Sequence, residues 1–448
     1  MAVNAVHAAR RKGTVLNTFD PDNLPEGVEF SELGGLRVVT ESMPSVRSVT
    51  AGLWVRTGSR DEGPGEAGLS HFLEHLLFKG VEGHTASEIS EIFDGMGALT
   101  NAATSKESTH LHARFVDRHL DEAFALLSEM MLRPTLPADE IDPEREVVLE
   151  EIAMYEDEPS DRVHDLLAEA IYGDHPLGRR VLGEAEVIAG TPRDEIAAYH
   201  RAHYTVPNLV VGVAGNVEHA RVVELVNKHF QAPDGDPVKV EDPAPPVAPR
   251  MLFRQKQTEQ FHICFGGHGI SRHDDRRYAL ALLDSIFGGA TSSRLFREVR
   301  EKRGLAYSVG SYTQQNIDHG SIAMYVGTRP ENVDEVCRII GSELESIRTD
   351  GVTGEELERA KENLKGRIVL SLESSASRMS RISRAALFDV PLEDLDETIA
   401  RIDAVSHDEV RELASDFYDP AKLSAAAIGA DADVFARAVE AVSPTLCA

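Results

Sequence analysis

The segment Gln231 to Arg250, "QAPDGDPVKVEDPAPPVAPR", carries six prolines among several acids near the middle of the chain. Proline locks φ and removes a backbone donor, so this stretch can be neither helix interior nor central strand. It predicts an extended, semi-rigid linker over 231–250. The sequences on either side then run in the same order. Each opens on strand-like sequence, "LRVVTE" and "SVTAGLWVRTGS" in the first part and "QFHICFGGHGI" in the second. A helix follows, "AGLSHFLEHLLFKG" against "RRYALALLDSIFGG". Alternating segments come next, "ALTNAATSKESTHLHARF" against "AYSVGSYTQQNIDHGSIAMYVG". Helices and a closing strand complete each part. This order predicts a duplicated α+β domain, two related halves joined by the linker. The first half is read as 26–230 and the second as 251–448, with 1–25 as a disordered tail rather than a signal peptide.

A chain of 448 residues is longer than one hydrophobic core serves well, which agrees with two domains. It has no run of about 18 apolar residues, so no membrane span is expected. Three scattered cysteines, Cys264, Cys337 and Cys447, exclude a disulfide framework and a cysteine zinc site, and they suit a reducing cytoplasm. The formal charge of -29 repels phosphate over most of the surface and argues against nucleic acid as a partner. That charge is either a solvated acidic surface or an acidic interior that draws in basic ligands.

"GLSHFLEHLLFKG", Gly68 to Gly80, places His71, Glu74 and His75 inside an apolar run that occurs only in the first half. At about 100° per residue, Leu69, Phe72, Leu73, Leu76 and Leu77 fill one arc of a helix and the three polar residues share the opposite arc. Histidines at i and i+4 can grip one ion, with Glu74 beside it. An amphipathic helix whose polar face happens to hold two histidines suffices to explain the five residues, so a metal site requires a third ligand. In "IDPEREVVLEEIAMYEDE", Ile141 to Glu158, the helical stripe of Ile141, Val147, Val148, Ile152 and Tyr155 also contains Glu144 and Glu151. Glu146 and Glu150 fall on the polar side as solvated acids. Carboxylates on a buried face need a cation or strong donors. Glu151 is therefore read as the third ligand and Glu144 as a carboxylate that orients a ligand histidine.

With "HFLEHLLFKG" followed 76 positions after His75 by Glu151 in "EREVVLEEI", the chain resembles the pitrilysin-type (insulinase-like) zinc peptidases, or inverzincins, from about Leu36 to Asp431. The resemblance implies His71, His75 and Glu151 as ligands of one zinc per chain, Glu74 as general base on the zinc-bound water, and Glu144 as the supporting acid. "TNAATSKEST" is similar to the family's edge strand, which implies that Asn101 and Ala102 meet substrate backbone by strand addition. "SSRLFREVREKRGLAYSV" is similar to a segment that reaches the active site from the second half, which implies Arg300 and Tyr307 as substrate or transition-state contacts. On its residues alone, Arg300 reads as part of a solvated basic helix end capped by Gly304. His110 and His112 share a strand face without a third partner nearby in sequence, and are read as structural or substrate-facing.

A single pair of halves resembles the shorter branch, the processing-peptidase β subunits and their bacterial relatives. It implies two α+β halves, each an antiparallel sheet with helices, enclosing a peptide chamber, and pairing as a homodimer. The expected function is a zinc metalloendopeptidase of the His-x-x-Glu-His type acting on peptides or unfolded segments, with basic peptides favoured by the acidic balance. The alternative is a non-catalytic scaffold or peptide-binding subunit of the same fold. All four core residues being present argues against that alternative.

Overall fold

The computed structural model describes residues 19–239 and 247–446. The first half carries strands β1 (Val28–Leu33), β2 (Leu36–Ser42), β3 (Ser48–Val55), a short ribbon β4 (Gly80–Val81) and β5 (His84–Thr85), then β6 (Leu99–Thr104), β7 (Thr109–Val116) and β8 (Leu209–Gly215). The second half carries β9 (Met251–Gln255), β10 (Phe261–Gly269), β11 (Ala306–Gln315), β12 (Gly320–Thr328) and β13 (Ser424–Gly429). One sheet has the order β1-β2-β8-β3-β7-β6 and the other β11-β12-β10-β13-β9. Apart from β1, the two orders superpose strand for strand, with β2 matching β9, β8 matching β13, β3 matching β10, β7 matching β12 and β6 matching β11.

Both sheets depart from the purely antiparallel expectation at the same place. β2 pairs in parallel with β8, and β9 with β13. Each parallel pair is joined through a long stretch containing helices, the crossover that parallel neighbours require. The remaining ladders are antiparallel, and β6 and β11 are left as edge strands.

Six helices position the site: α1 (Leu69–Leu76), α2 (Ala138–Asp157), α3 (Pro159–Tyr172), α4 (Arg277–Asp284), α5 (Gly354–Ser371) and α6 (Ser375–Phe388). Each sheet buries one face against helices of its own half. Leu53, Leu111 and Val211 meet Phe72 and Leu76 of α1 in the first, and Phe265 and Met324 meet Leu280 and Leu283 of α4 in the second. The opposite faces are covered by exchange. Val163, Leu167 and Ile171 of α3 pack on Cys264, Ala426 and Ile428 of the second sheet, while Met379, Ile382 and Ala386 of α6 pack on Val39, Trp54 and Val210 of the first. Gly52 and Gly212, register partners on β3 and β8, make the second approach feasible. A Cβ on Gly52 would lie 2.3 Å from Met379 Sδ and one on Gly212 1.8 Å from Ser383 Oγ.

The seam is reciprocal as well. Arg60, after β3, donates to both carboxylate oxygens of Asp318 in the β11–β12 turn, each at 2.6 Å. Glu107, in the β6–β7 turn, accepts from Arg60 at 2.9 Å and from the Ile317 backbone at 3.0 Å, and pairs with Arg272 at 3.3 Å.

The segment expected as a tail, 1–25, lies outside the described residues over 1–18. Phe19 is buried, with its ring 5.3 Å from that of Phe30. Residues 231–239 form neither helix nor strand, and hydrogen bonds tie them to the first half, among them Val206 N–H to Pro233 O at 2.9 Å and Val238 N–H to Asn208 Oδ1 at 2.7 Å. Residues 240–246 of the linker and Cys447 lie outside the described residues; Cys264 and Cys337 are free and buried. Among the described residues no helix is long and apolar enough to cross a membrane.

Candidate metal centre

Helix α1 starts at Gly68, whose φ of 98° suits glycine. The buried Glu62 carboxylate holds this end of the helix, accepting from Gly68 N–H and Ser70 N–H at 2.9 Å each. An anion is favoured there by the helix dipole. Burial nevertheless pushes the Glu62 pKa up to about 7. Leu69, Phe72, Leu73 and Leu76 are buried in the core, and this anchorage turns the other arc of α1 toward α2 and β6.

On that arc, His71 Nε2 and His75 Nε2 stand 3.3 Å apart. Glu151 Oε2 of α2 lies 3.6 Å from the first and 3.5 Å from the second. Among the described residues this is the one group of histidine, cysteine or acidic side chains close enough to hold an ion. Tetrahedral zinc with bonds of roughly 2.0–2.1 Å has ligand-to-ligand edges of about 3.3 Å, so two imidazole nitrogens and one carboxylate oxygen at these separations fit that metal.

The surrounding groups reinforce the fit. His75 Nδ1 is 2.8 Å from Glu144 Oε1, and Lys79 pairs with the other Glu144 oxygen. A carboxylate on Nδ1 fixes the tautomer that leaves the Nε2 lone pair free for a metal. Burial opposes charge on Glu144, but the hydrogen bonds from His75 and Lys79 outweigh it and keep its pKa low. Burial also opposes charge on His75, yet Glu144, Glu151 and Glu74 raise its pKa. His71 is buried, which together with neighbouring His75 lowers its pKa to about 4 and leaves the imidazole neutral, as a ligand must be. Its Nδ1 has no hydrogen-bond partner among the described residues.

Glu74 faces β6. Its Oε2 accepts a hydrogen bond from Thr104 Oγ1 at 2.5 Å, and burial raises its pKa despite that bond. His71, Glu74 and Glu151 line a cavity of about 330 Å³ together with Ala102, Ala103 and Thr104 of β6. Tyr155, Asp165, Val181 and Leu182 complete the wall.

The structure brings His71, Glu74, His75, Glu144 and Glu151 together and sets β6 beside them. Asn101 is exposed on that edge strand, and its Oδ1 accepts from Ala102 N–H at 2.9 Å. Arg300 and Tyr307 do not line the cavity. Tyr307 is 78% exposed, and Arg300 lies over its ring at 4.2 Å while donating to its carbonyl at 3.0 Å. The helical stripe of α2 needs one correction: Ile141, Val148 and Ile152 are buried, but Val147 and Tyr155 are exposed. Tyr155 faces the cavity rather than the core. His110 stacks on Trp54 at 4.0 Å and on His112 at 5.4 Å, an aromatic column rather than a second metal site.

Thr104, Lys79 and Asp165 were not found from the sequence. Strand alternation puts Thr104 on the same side as Ala102, and Lys79 follows His75 at i+4, so both carried a local signal. Asp165 carried none, because only the fold brings α3 to this cavity.

Comparison with known proteins gives two domain matches, "Insulinase (Peptidase family M16)" over residues 37–185 and "Peptidase M16 inactive domain" over residues 192–364. A Streptomyces coelicolor protein named an uncharacterized zinc protease is 43% identical over 395 residues, 86% of this chain and 85% of that one. A Bacillus subtilis protein, also named an uncharacterized zinc protease, is 41% identical over 384 residues, 86% and 94% of the two chains. A solved structure from Pseudomonas fluorescens, described as a peptidase M16 inactive domain, shares the fold with a TM-score of 0.84 at 22% identity, covering 90% of this chain and 98% of that one.

Proposed function

The chain belongs to peptidase family M16, and from that premise we propose that it is a zinc-dependent endopeptidase acting on peptides or unfolded segments. The observation that carries this reading is the convergence of His71, His75 and Glu151 beside a partly buried Glu74, in a cavity bordered by an edge strand. His71 and His75 through Nε2, and Glu151 through a carboxylate oxygen, would hold the zinc. When bound there, zinc supplies Lewis acidity that makes water a better nucleophile and polarises a carbonyl.

The chain's own groups supply the rest. Glu74 takes a proton from the hydrolytic water as its oxygen attacks the scissile carbonyl carbon. The C–N bond then breaks as Glu74 returns the proton to the leaving amine, a role worth roughly 10² to 10⁴ in rate. A carboxylate held partly desolvated and hydrogen-bonded by Thr104 is suited to this shuttle. Substrate backbone adds to β6 as a further strand, its carbonyl replacing Asn101 Oδ1 on the Ala102 N–H. Arg300 positions substrate and the Tyr307 hydroxyl stabilises the tetrahedral oxyanion once the two halves close into a chamber. Glu150, Asp157, Glu158 and Asp161 line a neighbouring cavity of about 610 Å³ that shares Tyr155 with the first, which favours basic peptides. Two copies pair as a homodimer in this reading, which sedimentation checks.

The test is to incubate zinc-loaded chain with a mixed library of unfolded peptides and to read products by mass spectrometry alongside metal content. The expected result is cleavage with close to one zinc per chain and, at low salt, faster cleavage of basic than of matched acidic peptides. A chain that holds zinc and leaves every peptide intact overturns the peptidase in favour of the peptide-binding or scaffold alternative. A chain without zinc overturns the metal centre itself.

A further inference from the structure

The metal cavity is walled by α1, β6, α2, α3 and the chain following α3. A second cavity, of about 480 Å³, is walled by α4, β11, α5, α6 and the chain following α6. These are the matching elements of the duplicated half, so the two cavities occupy corresponding places. Their chemistry is opposite. Where the first has histidine and acidic side chains, the second presents Arg272, Arg277, Arg381 and Arg384, with Glu393 as its one lining carboxylate. Asp165 and Arg381 even share a position, each the seventh residue of its helix.

Glu393 is already engaged, by Arg277 at 2.7 Å, by Arg401 at 3.1 Å and by the Tyr278 hydroxyl at 2.5 Å. Arg272 pairs with Glu107 at 3.3 Å and donates to Gln315 O at 2.9 Å, and Arg381 pairs with Glu41 at 3.6 Å and donates to Glu393 O at 2.9 Å. The wall remains short of acceptors. Arg272 Nη1 and Arg381 Nε are buried with no hydrogen-bond partner among the described residues. Arg384 forms no ion pair or hydrogen bond there either, though Glu107 is near enough to act on it electrostatically. As a residue Arg384 is exposed on this wall, although burial lowers the pKa of its guanidinium. Guanidinium groups lacking acceptors are matched by an oxyanion, which they bind through paired, charge-assisted hydrogen bonds. The rest of the lining combines apolar side chains, Ile368, Leu372, Val390 and Leu392 among them, with Tyr278, Thr313, Gln315 and Thr398.

We propose that this arginine cavity binds a carboxylate joined to an apolar body, centred on Arg384. Both the C-terminal residue of a peptide and a free acid of the same form have that chemistry. The site does not depend on the metal centre, because none of its four arginines lines the metal cavity.

Calorimetric titration of the full chain at low salt tests this, with N-acetyl-leucine, its primary amide, inorganic phosphate and an N-acetylated tetrapeptide ending in leucine as probes. N-acetyl-leucine is expected to bind, and the amide and phosphate to bind about tenfold or more weakly. Tighter binding of the tetrapeptide identifies a peptide terminus as the source, and binding of the single residue alone identifies a free acid. Arg384→Gln should weaken the acid by about 10- to 100-fold, the loss expected for one charged hydrogen-bonding partner, and Arg384→Lys by less. Chain dialysed against a chelator, and still folded by circular dichroism, should bind the acid equally well. The proposal is overturned if the amide or phosphate binds as tightly as the acid, if Arg384→Gln changes nothing, or if removing metal abolishes binding.

Discussion

Helix α1 turns His71 and Glu74 into its cavity with His75 beside His71, whereas the matching positions of α4 in the aligned repeat are Leu280, Leu283 and Asp284. Leu280 and Leu283 are sealed in the second core, and Asp284 accepts from Ser311 Oγ of β11 at 2.6 Å. The scaffold around these positions is nearly the same in both halves, down to a parallel strand pair at the same place in each sheet. Cavity-facing residues can therefore differ in charge between the halves while the strand order stays the same. One half has kept the residues that suit a cation, and the other carries residues that suit an anion.

Four tests, built on six substitutions, sharpen or break this contrast. The largest effect is expected from Glu74→Gln, since an amide cannot shuttle the proton. Peptide turnover should fall by roughly 10² to 10⁴ while zinc content and thermal unfolding stay unchanged. Full activity would remove Glu74 from the mechanism and with it the functional asymmetry of the halves.

Next come the exchanged helices, where the halves should behave alike. Ile382→Ala in α6 and Leu167→Ala in α3 each delete a side chain buried against the other half's sheet. Each should destabilise the chain by about 2–5 kcal/mol in denaturant unfolding. The transition should remain single, because neither sheet keeps its cover if the other half unfolds. Two separate transitions would show that the halves are independent.

Tyr307→Phe tests whether the second half reaches the metal cavity. If its hydroxyl serves the oxyanion, turnover should drop by about 10² to 10³ with zinc and peptide binding retained. An unchanged rate would return the exposed Tyr307 and the Arg300 stacked on it to the surface.

The smallest effect is expected behind the metal. Glu144→Gln removes the charged partner of His75 Nδ1 and should weaken zinc by roughly 10- to 100-fold in competition with a chelator. Glu150→Gln, exposed on the same helix, should leave affinity unchanged. Equal effects from the two would mean that burial against α1 does not matter.

The amino-acid sequence by itself pointed to the duplication, to the helix bearing His71, Glu74 and His75, and to Glu151 rather than Glu150 on the face turned toward that helix. These are local properties: an apolar period of 3.6 fixes which face of a helix is buried, and a carboxylate inside that face needs a partner. The same reasoning placed Val147 and Tyr155 wrongly, since a period gives the direction of a side chain but not whether anything packs there. Only the tertiary structure decided that α3 and α6 change sheets, that Arg60 and Arg272 cross the seam to Asp318 and Glu107, and that four arginines meet in one cavity. Arg272 and Arg384 are separated by more than 100 residues of chain, and no sequence period relates such positions. Their meeting follows from how two cores, each incomplete without a helix from the other, bury their apolar faces together.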